Sequence, residues 1–116
     1  MLVEDELSIL KLYEIILQSF GFEVIGCAKN GLEAVKIYKS LNKKPDIIIM
    51  DHRMPIMTGI EASKLILEID PKAKIIFASA DQSVKEYSKS IGAISFKNKP
   101  FDNLKLIRNI HKALGS

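Results

Sequence analysis

The sequence contains no tryptophan and a single cysteine among its 116 residues. The lone Cys27 cannot form a disulfide within the chain, and its place in the apolar segment FEVIGCA predicts a small buried core residue. Histidine is also scarce, because only His52 and His111 are present and neither has another histidine or cysteine at a metal-ligand spacing. This scarcity argues against a zinc site and predicts that both histidines lie at the surface.

The sequence also lacks a long hydrophobic run, since no segment approaches the roughly 18 consecutive apolar residues that a membrane-spanning helix needs. The first residues, MLVEDE, reach acidic side chains too soon for a secretory signal peptide, so we expect a cytoplasmic protein with no membrane contact. Positive charge is in small excess, with a formal net charge of +3 at pH 7. That excess is too dispersed to predict nucleic-acid binding, although it could favour an acidic partner surface.

The length of the chain suits one domain with one core, which we place over residues 1–116. Within it, short apolar runs alternate with amphipathic segments, the pattern of a parallel sheet covered by helices on both faces. The runs are MLV, FEVIGCA, DIIIM, AKIIFAS and AISF. Asn30 and Thr58, each with a glutamate three positions later, predict the starts of the second and third helices. The fourth helix, near residues 83–90, has a narrow apolar stripe and is predicted to be the least firmly packed.

The predicted strands end in polar side chains. The set comprises Glu4 and Asp5 after strand one, Asp51 after strand three, Ser79 at the end of strand four and Lys99 after strand five. Because the carboxyl ends of parallel strands share the edge of the sheet where ligands bind, we expect these groups to converge. Three carboxylates in one pocket repel one another unless a cation lies among them, and their hard oxygen atoms suit Mg²⁺. Taken singly, the acidic pair could equally cap the first helix, and the other groups could be turn or surface residues.

Four segments match a known family in their order and separation: LVEDE, DIIIMDHRMPIMTG, IIFASAD and FKNKPF. Together they resemble the receiver domain of two-component response regulators, of the chemotaxis-regulator kind, over the whole length of the chain. The resemblance implies a flavodoxin-like α/β fold, a doubly wound five-stranded parallel sheet in the order 2-1-3-4-5 with five helices on both faces. It implies a signalling phosphoprotein that promotes its own phosphorylation and dephosphorylation, rather than an enzyme with a separate substrate.

The resemblance assigns a role to each strand-end group. Asp51 matches the carboxylate that accepts a phosphoryl group from a sensor histidine kinase or phosphotransfer protein. Lys99 matches the lysine that pairs with the phosphoryl oxygens, and Ser79 the hydroxyl that hydrogen-bonds one of them. Ser79 and the aromatic Phe96 match the pair that changes conformation after transfer. Helix four, strand five and helix five would then form the signalling face, for a downstream protein or a homodimer, with no direct nucleic-acid binding.

The resemblance also implies the ligands of a magnesium ion. These are the carboxylates of Asp5 and Asp51 and the backbone carbonyl of Arg53, with Glu4 as an indirect or weak partner. Glu4 stands where the family commonly has aspartate. The first strand is unusually short, since only Met1, Leu2 and Val3 precede the acidic pair, and residues upstream of Met1 could be missing. Arg53 and Asp81 match variable positions that modulate the access of water to the phosphoryl group. Their opposite charges would allow an ion pair over the pocket, or two separately solvated side chains.

Three other protein classes share part of this pattern. A phosphatase of the haloacid-dehalogenase type needs a second aspartate two positions after the first, where this chain has Arg53. A flavodoxin needs a phosphate-binding loop rich in Ser, Thr and Gly after strand one, whereas EDELS is acidic and would repel a phosphate. A receiver-like module that is never phosphorylated would not need the complete set of Asp5, Asp51, Ser79 and Lys99.

Overall fold

The computed structural model describes residues 1–79, 81–91, 93–96 and 103–115, with the backbone alone for residues 94–96 and 103–105. Strands and helices alternate in the order β1 (Leu2–Val3), α1 (Leu7–Ser19), β2 (Cys27–Ala28), α2 (Gly31–Ser40), β3 (Ile48–Asp51), α3 (Gly59–Ile69), β4 (Ile75–Ala78), α4 (Gln82–Ile91), β5 (Ile94–Phe96) and α5 (Asn103–Ala113). The strands form one parallel sheet in the order β2-β1-β3-β4-β5. The predicted flavodoxin-like α/β fold is confirmed.

The central strands β3 and β4 are buried along their whole length. Alternate residues of β3 belong to two different hydrophobic clusters, with Ile48 and Met50 in one and Ile49 in the other. The first cluster includes buried residues of α2, α3 and α4, and the second includes buried residues of α1 and α5. Helices therefore cover both faces of the sheet, which explains why a central strand can be apolar without alternation.

The second strand is shorter than the apolar segment FEVIGCA suggested, because only Cys27–Ala28 pairs with β1. The cause lies in β1, which offers only Leu2 and Val3 as partners. Cys27, predicted to be a small buried core residue, packs against the cluster that includes Ile49 but is only half-buried, and its thiol donates a hydrogen bond to a carboxylate oxygen of Glu14 at 3.5 Å. Burial, followed by this hydrogen bond, raises the pKa of the Cys27 thiol.

The predicted helix starts are confirmed at α2 and α3. The side chain of Asn30 accepts a hydrogen bond from the amide of Glu33 at 2.8 Å, and Thr58 forms a reciprocal capping box with Glu61. α4 buries only Val84 and Ser88 along its length. Among the described residues, none of the helices combines the length and the apolar character needed to cross a membrane.

Candidate functional site

Three carboxylates meet at the carboxyl edge of the sheet. One oxygen atom from each of Glu4, Asp5 and Asp51 lies within 4.8 Å of the other two. Glu4 and Asp51 are only 2% and 3% exposed, whereas Asp5 is exposed to solvent. Two buried carboxylates so close together repel strongly unless a cation shares their charge. An all-oxygen site of this kind fits Mg²⁺, and one exposed ligand gives the ion a path from solvent.

Glu4 is held by the first strand and also contacts the start of α1. Its amide donates to the carbonyl of Ala28 at 3.0 Å, as the pairing of β1 with β2 requires. Its carboxylate oxygen Oε2 accepts a hydrogen bond from the amide of Glu6, the N-cap of α1, at 3.1 Å. Glu4 therefore belongs to the acidic cluster and also bonds the residue at which α1 begins, although α1 itself has no side-chain cap.

Asp51 is the last residue of β3, and the backbone after it fixes its carboxylate. Oδ1 of Asp51 accepts a hydrogen bond from the amide of His52 at 2.8 Å. The amide of Gly59, the first residue of α3, donates to the carbonyl of His52 at 2.9 Å. A Cβ atom added to Gly59 would lie only 2.1 Å from the Asp51 carbonyl oxygen. Only glycine therefore lets α3 begin this close to the strand that carries Asp51.

The loop between β3 and α3 contains a tight turn. Ile56 has a φ of 71°, which is rare for a β-branched residue, and the amide of Met57 donates to the carbonyl of Pro55 at 2.7 Å. The Ile56 side chain is 75% exposed, so burial does not compensate for the backbone strain. His52 is half-buried and its Nδ1 accepts a hydrogen bond from the Ile60 amide at 3.4 Å. His52, predicted to lie at the surface, is therefore only partly exposed, because α3 packs over this end of the loop.

Ser79 directly follows β4, whose last residue Ala78 is the register partner of Asp51. The Ser79 hydroxyl is therefore carried on the strand next to Asp51, at the same edge of the sheet. Its Oγ accepts a hydrogen bond from the amide of Asp81 at 3.1 Å. A hydroxyl that accepts one hydrogen bond keeps its own hydrogen to donate, so Ser79 can still act as a donor.

Asp81 and Arg53, which the sequence placed on neighbouring loops, form an ion pair. Nη2 of Arg53 lies 3.4 Å from Oδ2 of Asp81, and their side chains are 84% and 24% exposed. The other oxygen of Asp81 accepts hydrogen bonds from the amide of Ser83 at 2.9 Å and from its hydroxyl at 2.6 Å. The bonds from Ser83, followed by the one from Arg53, hold the pKa of Asp81 below its ordinary value.

Two of the predicted site residues lie wholly or partly outside the described part of the chain. Lys99 lies outside the described residues, as does the Phe96 side chain, although the Phe96 backbone pairs with Ala78 in the sheet. Sequence reasoning missed two functional positions, Gly59 and the capping carboxylate of Asp81. The signals were present, since glycine directly follows the capping Thr58, and Asp81 stands two positions before a serine, the spacing of an N-cap.

Comparisons with known proteins identify the family. The family model of the response regulator receiver domain matches residues 1–111. The chain belongs to this family. The chemotaxis protein CheY of Thermotoga maritima is 41% identical, with 97% of this chain and 93% of the relative covered. The fold is likewise similar to CheY in the CheX-CheY-BeF3-Mg²⁺ complex of Borrelia burgdorferi, with a TM-score of 0.87, 33% identity, and 96% and 84% of the two chains covered.

A second solved structure bears on the acidic cluster. The receiver domain of the sensor histidine kinase PA1611 from Pseudomonas aeruginosa PAO1 holds a magnesium ion coordinated in its active site cleft. It matches this chain with a TM-score of 0.83 and 28% identity, covering 99% of this chain and 95% of that one. Membership of the receiver family excludes the phosphatase and flavodoxin alternatives. It makes the chain a domain of two-component signal transduction, in a family of phospho-acceptor signalling domains rather than classical enzymes.

Proposed function

We propose that Asp51 accepts a phosphoryl group, in a Mg²⁺-dependent reaction, from a sensor histidine kinase or phosphotransfer protein. The observation that supports this proposal is the buried Asp51 carboxylate within 4.8 Å of the carboxylate oxygens of Glu4 and Asp5. Such a group has little reason to be buried at a strand end unless it binds a cation or reacts. The proposal covers residues 1–116 as one receiver domain, with the cytoplasm as its predicted compartment.

The residues of the cluster fit a magnesium ion. Asp5, Asp51 and the backbone carbonyl of Arg53 would hold it, with Glu4 as an indirect or weak partner. When bound, the ion would neutralise charge on the phosphoryl oxygens and on the carboxylates around them. A family relative holds a magnesium ion in its active site cleft, which supports Mg²⁺ as the ion of this site.

The reaction uses the carboxylate of Asp51 as a nucleophile. A bond forms between a carboxylate oxygen and phosphorus as the phosphorus–nitrogen bond of the donor phosphohistidine breaks. The His52 amide donates to Oδ1 at 2.8 Å and so helps to position the carboxylate. The Ser79 hydroxyl can donate to a phosphoryl oxygen, and Lys99 is expected to pair with another. Positioning and charge neutralisation are the main contributions that phosphoryl transfer needs from a protein.

The proposed output surface is the face of α4, β5 and α5, with Ser79 and Phe96 as its switch residues. Four exposed basic side chains lie on the two helices: Lys85, Lys89, Arg108 and Lys112. These positive charges suit an acidic protein partner, and a homodimer through the same face is the alternative that we propose. The proposal includes no direct binding of nucleic acid or membrane by this domain. Backbone NMR shifts of α4 and α5, measured with and without Mg²⁺ and beryllofluoride, test this assignment. Unchanged shifts on both helices would count against it.

The phosphoryl acceptor is tested by mass spectrometry. We expect the intact protein to gain one phosphoryl mass from a small acyl-phosphate donor with Mg²⁺ present, and none after Mg²⁺ is chelated. Asp51→Asn should gain none, yet fold with equal or greater stability because the change removes repulsion within the cluster. A stoichiometric phosphoryl mass on the Asn variant would sink the assignment of Asp51.

A further inference from the structure

Asp81 bonds both to Ser79, which follows β4, and to the first turn of α4. Its amide donates to the Ser79 hydroxyl at 3.1 Å, and its Oδ1 accepts from the amide and hydroxyl of Ser83. Its carbonyl accepts the first intrahelical hydrogen bond of α4, from the amide of Lys85 at 3.1 Å. Asp81 is therefore the N-cap of α4, and the same residue holds a hydroxyl of the proposed phosphoryl site.

α4 depends strongly on this cap. Three of its ten residues are serines, which are modest helix formers. Two of those hydroxyls, of Ser88 and Ser90, bond back to carbonyls within the helix, a contact that slightly weakens helices. Only Val84 and Ser88 are buried, and the half-buried Tyr87 ring adds an edge contact with Phe77, so packing supports α4 through few side chains. Removal of the capping carboxylate should therefore loosen the first turn of α4.

The Ser79 hydroxyl is sensitive to the same turn. Its Oγ accepts from the Asp81 amide, and the side chain of the same residue closes the turn to Ser83, so we expect that amide to keep its direction only while the turn is closed. With this bond in place, one lone pair of Oγ is occupied and the hydroxyl hydrogen remains available to the phosphoryl group. If the turn opens, the hydroxyl can rotate, and part of its donor geometry is lost.

We propose that Asp81 is a positioning residue, which orients the Ser79 hydroxyl for the phosphoryl group by capping the first turn of α4. This inference rests on the proposed function, because it assumes that a phosphoryl group binds beside Ser79. Arg53 is not required for it: the ion pair uses Oδ2, whereas the cap uses Oδ1.

The matched variants are Asp81→Ala and Asp81→Asn. Both remove the negative charge and the ion pair with Arg53, but asparagine is a good N-cap and alanine is a poor one. Any difference between them therefore reports the cap, whereas any change common to both reports the charge. The Asp81 side chain lies at the surface, so both variants should fold.

The first measurement is amide hydrogen exchange in the absence of ligands. We expect the first-turn amides of α4, including Ser83 and Lys85, to exchange about five-fold faster in Asp81→Ala, the effect of losing a typical cap. Asp81→Asn and Arg53→Gln should match the parent protein. Amides of α3 should be unchanged in all variants. Equal exchange in the Ala and Asn variants would overturn the capping part of the proposal.

The second measurement is binding of Mg²⁺ alone and of beryllofluoride, a phosphoryl analogue, at saturating Mg²⁺. We expect Asp81→Ala to bind beryllofluoride about two- to five-fold more weakly than Asp81→Asn, because the coupling cannot exceed the contribution of the cap. Mg²⁺ affinity should be equal in the two variants. If Asp81 had only a structural role, its loss would change the affinities for Mg²⁺ and beryllofluoride alike, so a loss confined to beryllofluoride indicates positioning. Equal beryllofluoride affinities would overturn the proposal. Failure of the parent protein to bind the analogue with Mg²⁺ would instead reject the proposed function.

Discussion

The helices α3 and α4 both begin beside the acidic cluster, but they are held there in different ways. α3 has a capping box of its own, Thr58 with Glu61, and buries four residues along its length. α4 buries two residues, and its capping carboxylate, Asp81, also contacts Arg53 outside the helix. We therefore expect the first turn of α3 to keep its conformation, whereas the first turn of α4 can change its conformation when a ligand binds.

The largest effect should come from filling the space at the start of α3. In Gly59→Ala, the new methyl group would lie 2.1 Å from the Asp51 carbonyl oxygen, so the strand or the helix must move. We expect a loss of about 3 kcal/mol or more in the free energy of unfolding, measured by urea denaturation. Mg²⁺ affinity should fall as well, because the moved backbone carries Asp51.

Gly21→Ala is the control for a general cost of replacing glycine. Gly21 has a φ of +85° but no neighbouring atom within 4 Å of an added Cβ. This variant should lose only about 1 to 2 kcal/mol from its left-handed backbone and should keep its Mg²⁺ affinity. If Gly59→Ala were as stable as Gly21→Ala, the start of α3 could move away from Asp51 at little cost, which would contradict the prediction.

A smaller effect should separate the two helix caps. Thr58→Ala removes the capping box of α3 and should cost about 1 kcal/mol of stability, measured by urea denaturation. Because Thr58 has no hydrogen bond to a group of the acidic cluster, beryllofluoride affinity should stay at the parent value. Asp81→Ala should instead weaken the binding of beryllofluoride. If Thr58→Ala weakened beryllofluoride binding as much as Asp81→Ala does, the two helix caps would not differ in their effect on the site.

Much of this site could be predicted from the sequence, because its carboxylates lie at the ends of apolar strands. Glu4, Asp5 and Asp51 each stand directly after or at the end of an apolar run, and parallel strands bring such ends to one edge. The Thr58 capping box could be predicted because both of its partners lie within four residues of each other. Local spacing and sheet topology are thus enough to place the acidic cluster.

The features that could not be predicted depend on contacts between segments far apart in the chain. His52 is half-buried only because the start of α3 covers the loop, and β2 is short only because β1 offers two partners. The Arg53–Asp81 pair was one of two alternatives, since spacing cannot fix the rotamers of an exposed arginine. The cap at Asp81 was missed because the helix was expected to start at Ser83.

The far end of α3 provides a test that does not involve the site. The Tyr38 hydroxyl donates to the Asp70 carboxylate, at the C-cap of α3, at 3.0 Å, and burial followed by this bond raises the pKa of Tyr38 to about 12. The folded protein therefore keeps this proton to higher pH than the unfolded chain. The contribution to stability is complete below about pH 10, the ordinary tyrosine value, and falls as pH rises towards 12.

Tyr38→Phe should cost about 1 kcal/mol at neutral pH, through the lost hydrogen bond. Its stability should also fall less than that of the parent between pH 10 and 12, which urea denaturation at several pH values would measure. Tyr87→Phe is a useful comparison, because Tyr87 is half-buried where Tyr38 is buried, and burial alone raises its pKa; this variant should change the pH dependence less than Tyr38→Phe does. Identical pH dependence in the parent and in Tyr38→Phe would contradict the assigned pKa. Mg²⁺ and beryllofluoride affinities should not change.

The smallest effect on stability should come from the ion pair between Arg53 and Asp81. Both charges are accessible to solvent, so breaking the pair should leave the free energy of unfolding nearly unchanged. Its proposed role is kinetic, because two side chains held together beside the phosphoryl group would hinder the water that attacks it in line. We therefore expect phospho-Asp51 to lose its phosphoryl group faster once the pair is broken.

Asp81→Ala would be a poor test of this pair, because it also removes the cap of α4. Arg53→Ala combined with Asp81→Asn breaks the ion pair and keeps the capping oxygen in place. We expect this double variant to dephosphorylate about two- to five-fold faster than the parent at fixed Mg²⁺, a modest effect typical of a partly screened, solvent-exposed pair. Arg53→Lys, which can keep the charge pair, should fall between the two. Hydrolysis at the parent rate, or more slowly, in the double variant would show that the pair does not shield the phosphoryl group, and the access of water would then depend on the backbone of the two loops.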